Sequence, residues 1–174
     1  MRQVDGSRQV DGSRQVDHNY HVVSVDEILP GLWLGNEAAS QSEQFMIKNN
    51  IKLIVNATKD IKSKFLNKIH YIRVPVGDPG KVYSVSQNED VYVMNECLPL
   101  VLNKILAARQ RGWNILIHCH AGAQRSAIIA AAYLLFRHHA TDPRDATEQI
   151  VQKRNIAFFG GKSINFYDVL RTVG

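Results

Sequence analysis

Cys119 closes an apolar run, Ile115-Leu116-Ile117-His118, and Arg125-Ser126 opens another, with Gly122 the one glycine between them. A cysteine becomes a nucleophile when its surroundings favour the thiolate, and a helix N-terminus, unpaired loop amides and a nearby cation all do so. Cys119 would have the three together: a helix starting near Gln124, the amides of the intervening loop, and the Arg125 guanidinium. Those same amides, from His120, Ala121, Gly122, Ala123, Gln124 and Arg125, can converge on one tetrahedral oxyanion. Arg125 adds a planar fork that matches two phosphate oxygens. The implied chemistry is thiolate attack on a phosphate monoester through a phosphocysteine intermediate that water then hydrolyses.

Other residues take supporting roles in that reading. Ser126 could donate to the sulfur and ease its departure in the second step. His118 would fix the loop through backbone hydrogen bonds rather than act as a base. The leaving oxygen needs a proton, and Asp78 is the chosen acid, because its glycine- and proline-bearing loop, 76–80, would give an exposed and mobile position. Glu89 and Asp90 read instead as charges in a helix's first turn. Arg154, His138 and His139 read as solvated or structural, Cys97 as a buried small hydrophobe, and Arg73 and Lys162 as surface cations.

To place these groups, the chain must supply a buried strand before Cys119 and a helix after it. Residues 113–118 read as that strand, and 124–137 as an alanine-rich helix buried on most sides. Upstream, 27–35 reads as two short strands around a Pro30-Gly31 turn. Asn36 should cap a helix running to about 48, and 51–57 and 69–75 read as strands. Residues 88–111 form one long helical pattern, ended by Gly112 and kinked or split at Pro99. Asp142-Pro143 opens a helix to about 153, and a last helix covers about 163–172. Strands alternating with helices predict a single α/β domain with a mostly parallel central sheet flanked by helices.

Residues 2–17 repeat Arg-Gln-Val-Asp three times, with one apolar residue per hexad, so 1–19 is expected to be a flexible tail and 20–174 the folded domain. The chain is 174 residues long and 45% hydrophobic, enough for one real core. Its two cysteines are too few for a disulfide framework or a zinc site. The longest apolar run, 127–136, falls short of a membrane span. With no secretory signal visible, a cytoplasmic location, or a nuclear one, is the expectation. A net charge of +5 favours anionic ligands, but without a dense Lys/Arg cluster nucleic acid is the less favoured partner.

The pattern His118-Cys119-x-x-Gly122-x-x-Arg125-Ser126 resembles the catalytic loop of cysteine-dependent protein tyrosine phosphatases, closest to the dual-specificity branch. Ile28-Leu-Pro-Gly-Leu-Trp-Leu-Gly35, Ile51-Lys-Leu-Ile-Val-Asn-Ala-Thr58 and Val74-Pro-Val-Gly-Asp78 are similar to that branch's opening segment, next strand and general-acid loop. The resemblance implies a protein-tyrosine-phosphatase-like fold. It also implies Cys119 as nucleophile, Arg125 as phosphate ligand, Asp78 as acid, no metal or other cofactor, and phosphorylated proteins as substrates. The chain departs from the family pattern at Gln124, where many relatives carry Ser, and at His120. Two other readings compete: the same chemistry on a phosphoinositide or an RNA 5′ end, and a catalytically dead phosphate-binding module. The absence of loop lysines weighs against the lipid, and the presence of Cys119, Arg125 and Asp78 against the dead module.

Overall fold

A computed structural model describes residues 21–77 and 86–173, with backbone alone for 86–88. The expected tail, 1–19, and the expected acid, Asp78, lie outside the described residues. Five strands form one sheet in the order β1-β2-β5-β3-β4: Val25–Leu29, Leu32–Gly35, Asn114–His118, Ile51–Asn56 and His70–Arg73. β1 and β2 are antiparallel, whereas β2, β5, β3 and β4 run parallel. Central β5 sends Ile115 and Ile117 to one face and Leu116 to the other, as strand alternation requires. Being covered on both faces, β5 reads as an unbroken apolar run.

The larger core lies against α3 (Ser86–Gln110), α4 (Arg125–Phe136) and α5 (Pro143–Lys153). The smaller packs Phe45 and Met46, from the helical stretch after Asn36, onto Ile54 and Leu116, and Trp33 meets Phe45 edge-on, ring centroids 5.5 Å apart. α4 is fully buried along nearly its whole length, which explains its alanines: small side chains let the sheet and two helices approach it from different sides.

Several local features differ from the sequence expectation. The helix after Asn36 is two helices, α1 (Glu37–Gln41) and α2 (Glu43–Lys48), because Ser42 adopts an extended conformation and its side chain caps Phe45 N. Asn36 caps α1 as expected, accepting from Ala39 N. Pro99 does not split α3, which remains one helix of 25 residues. Met94, Leu98, Val101, Leu102 and Ile105 anchor it on both sides of the exposed proline, and this packing outweighs the lost hydrogen bond. Over Glu89–Gln110, α3 is also long and apolar enough to cross a membrane, but one face of it is built into this core.

The last expected helix is shorter and tighter. It is a 3-10 turn over Tyr167–Thr172, preceded by α6, Phe158–Gly161, whose four residues all have positive φ. Asp142 caps α5 as expected.

Candidate active site

The loop from Cys119 to Gln124 leaves the C-terminal end of β5 and enters α4 at Arg125. Its backbone carbonyls are held from outside, one after another. Those of His118 and His120 accept from Ala57 N and Glu37 N, and that of Ala123 from Phe158 N at 2.8 Å. Arg154 donates from Nη2 to Ala121 O at 3.0 Å and from Nε to Gly122 O at 2.7 Å. His118 Nδ1 donates to Cys119 O at 3.3 Å, and Gln124 O starts the α4 ladder at Ile128 N.

With the carbonyls drawn outward, the amides of His120 to Gln124 donate to no described protein atom. That is the polarity an oxyanion cradle needs: donors preorganised inward, acceptors satisfied elsewhere. Gly122 has φ +67, and a Cβ there would run into Gly35 O. The glycine is therefore demanded both by backbone conformation and by the close approach of β2.

Cys119, Arg125 and Ser126 are each nearly or fully buried. Ser126 Oγ lies 3.0 Å from Cys119 Sγ, within reach to donate to a thiolate. Arg125 stands at the first turn of α4 and donates from Nη1 to Val76 O at 3.0 Å, which ties it to the segment leading to Asp78. The loop residues gathered from the sequence, His118 through Ser126, thus come together as expected, while Asp78 lies outside the described residues.

His118 is 1% exposed. Burial first, then the charges of Arg73, His120 and Arg125, push its pKa down to about 4, against the raising effect of its bond to Cys119 O. The ring is neutral at pH 7 and carries its proton on Nδ1, a loop fastener rather than a base.

One expectation needs correction. Asp90 is no solvated first-turn charge. It is 5% exposed, pairs with Lys59 at 2.9 Å and accepts from Gly77 N at 2.9 Å. A Cβ on Gly77 would lie 2.8 Å from its carboxylate, so Asp90 grips the last described residue before Asp78. The Gln124 side chain donates to Ser163 O and accepts from Asn165 N, pinning the segment after α6. Arg73, an exposed cation as expected, donates to Thr58 O and Ile61 O.

One contributor was not legible as a site residue, and for another only the backbone role was. Arg154, 1% exposed, bridges the loop carbonyls to Asp26 at 2.8 Å and to Ser24 Oγ at 3.1 Å. A lone arginine at a helix end reads as solvated, and nothing in the pattern of α5 marks it. His120, the first loop residue after Cys119, sits between Glu37 (3.0 Å) and Asp60 (3.0 Å). Slight burial raises the Asp60 pKa, but the His120 hydrogen bond and charge outweigh it and hold the carboxyl below its usual value. The convergence of Glu37 and Asp60 on His120 comes from the fold.

The family of the dual specificity phosphatase catalytic domain matches residues 32–171. Dual specificity protein phosphatase Mpk3 of Drosophila melanogaster is 35% identical over 120 residues, 67% of this chain and 26% of its own length. Human dual specificity protein phosphatase 21 is 29% identical over 135 residues, 78% of this chain and 65% of its own. The chain thus spans between about a quarter and two thirds of these two relatives. Among solved structures, DUSP15 superposes with a TM-score of 0.68 at 27% identity, covering 85% of each chain. Human DUSP28 gives 0.68 at 23% identity, covering 86% of this chain and 91% of that one, a likeness of fold. With residues 32–171 matched, a span that takes in the Cys119–Ser126 loop and α4, the chain belongs to the dual specificity phosphatase catalytic-domain family.

Proposed function

We propose that this chain is a cysteine-dependent protein phosphatase that removes phosphate from phosphotyrosine and phosphoserine/threonine. The supporting observation is the unbroken series of outward-held carbonyls from His118 to Gln124 around a buried Cys119 with Ser126 Oγ at 3.0 Å. Such a cradle stabilises the dianionic equatorial oxygens of a phosphoryl group in flight, where water would have to reorganise. In the first step the Cys119 sulfur bonds to phosphorus and the ester P–O bond breaks. Arg125 holds two phosphoryl oxygens, and the departing oxygen takes a proton from Asp78. In the second step water attacks phosphorus, the S–P bond breaks, and Ser126 donates to the leaving thiolate while the Asp78 carboxylate accepts the water's proton.

The test is a side-by-side profile of the 174-residue chain on phosphotyrosine and phosphoserine/threonine peptides, phosphoinositide vesicles and triphosphorylated RNA, each with and without EDTA. Turnover of both peptide classes, undiminished by the chelator, is expected. Preferential turnover of the lipid or RNA would move the chemistry to that substrate, and no turnover at all would leave a binding module.

A further inference from the structure

At the end of the sheet opposite Cys119, a groove of about 310 Å³ opens between edge strand β4 and the last turns of α3. β4 pairs with β3 alone, so its outer edge meets no strand among the described residues. An unprotected strand edge is a template for a further strand. The floor is apolar: Leu53 is buried, and Ile72 and Trp113 are half-buried. The wall is cationic. Lys104 on α3 and Arg111 just past its end are both exposed, with the small Ala107 and Ala108 between them leaving the floor open.

Neither Lys104 nor Arg111 has an ion-pair partner among the described residues; Arg111 lies over the Trp113 ring, 5.4 Å from its centroid, and His70 stacks on Trp113 at 4.8 Å. Among the described residues, no carboxylate lines the groove. The pocket beside the catalytic loop is mixed instead, with Glu37 and Asp60 facing Lys62 and His120.

From this charge complementarity we infer that the β4–α3 groove docks an acidic, extended peptide segment, which adds to the β4 edge and sets carboxylates on Lys104 and Arg111. Main-chain pairing with β4 supplies affinity, and alternate side chains entering the groove supply selectivity. Trp113 lies before β5 and Cys119 after it, about 20 Å apart at strand rise. A segment roughly ten residues from a phosphorylated side chain spans that distance. A docked substrate would then present its phosphate at raised effective concentration; this consequence, unlike the docking itself, rests on the phosphatase reading.

The probe is a fluorescent eight-residue peptide of alternating Glu and Val, titrated into the full chain. Saturable binding is expected, weakened at least tenfold by Lys104→Glu/Arg111→Glu, with no binding of an alternating Lys/Val peptide. Amide shifts on binding should centre on residues 70–73. Unchanged thermal unfolding of the double variant establishes that it is folded; if that variant melts early, Lys104→Gln/Arg111→Gln takes its place. Absence of saturable binding, binding that survives the loss of both charges, or shifts elsewhere than at β4 overturns the inference. Equal binding of a single-stranded oligonucleotide of matched charge, lost in the same variant, overturns it in favour of a nucleic-acid surface. Joining the acidic segment to a phosphopeptide should lower KM about tenfold in the parent and not in the double variant. No change there, with binding intact, refutes tethering without touching the docking site.

Discussion

From His118 to Gln124 the cradle carbonyls are each held by partners beyond the loop, Ala57 just past β3, α1, α4, α6, the His118 ring and above all Arg154. The segment leading to Asp78 is met by the site differently: Arg125 Nη1 takes Val76 O, and the Asp90 carboxylate takes Gly77 N. The contrast follows the two jobs. A cradle stabilises charge by having its dipoles fixed before the charge arrives, so displacement of even one amide is costly. A proton donor acts once per step, at one atom, and needs reach to a leaving group that differs between substrates.

If the two halves work this way, they should break differently. Cys119→Ser should reduce aryl phosphate hydrolysis to background while keeping phosphate or vanadate binding measurable by calorimetry; residual turnover would remove the nucleophile assignment. Asp78→Asn should slow poor leaving groups such as phenyl phosphate by about 10³-fold and activated aryl phosphates far less. Equal losses on both would put the acid elsewhere. Arg154→Met frees two loop carbonyls and should lower kcat/KM on every substrate alike, by about a hundredfold, with weaker vanadate binding. A leaving-group-dependent loss would show that the cradle and acid halves are not separable.

Asp90→Asn, which keeps an acceptor for Gly77 but loses the charge facing Lys59, should cost roughly tenfold or less, in the leaving-group-dependent pattern of Asp78→Asn. The smallest effect is on stability. His118 is neutral in the folded chain down to about pH 4, whereas an unfolded histidine protonates near 6.5. Between those values the unfolded chain binds more protons, so stability falls as pH drops through the window. The expected loss from pH 7 to 5 is roughly 2 kcal/mol, and urea titrations of His118→Asn should show it flattened.

The catalytic loop was legible because its chemistry and its geometry come from consecutive residues: a thiol, a glycine that must turn, an arginine and a hydroxyl between a strand and a helix. The parallel sheet was legible for the same reason, since β3 and β5 read as apolar runs. What stayed hidden depends on residues far apart in the chain. Arg154 gains its meaning from Asp26 and from the carbonyls of Ala121 and Gly122, and His120 from Glu37 and Asp60. Asp90 looked like an ordinary helix charge because the start of α3 was placed two residues late. Pro99 looked like a breaker because propensity speaks only for the backbone, while Leu98 and Val101 beside it are buried and decide for the helix.

The outward-held carbonyls have one more consequence, for when the site comes into being. Their partners lie at Glu37, Ala57, Arg154 and Phe158, on both sides of the loop and far from it along the chain. Such long-range closures form late in folding, because loop entropy is lost before the contacts reward it. A chain still folding, or one whose α5–α6 end has opened, has its loop amides unaligned and presents no oxyanion cradle. Recovery of turnover during refolding should therefore lag recovery of helical signal, making catalysis a reporter of the last closure rather than of the first compact state.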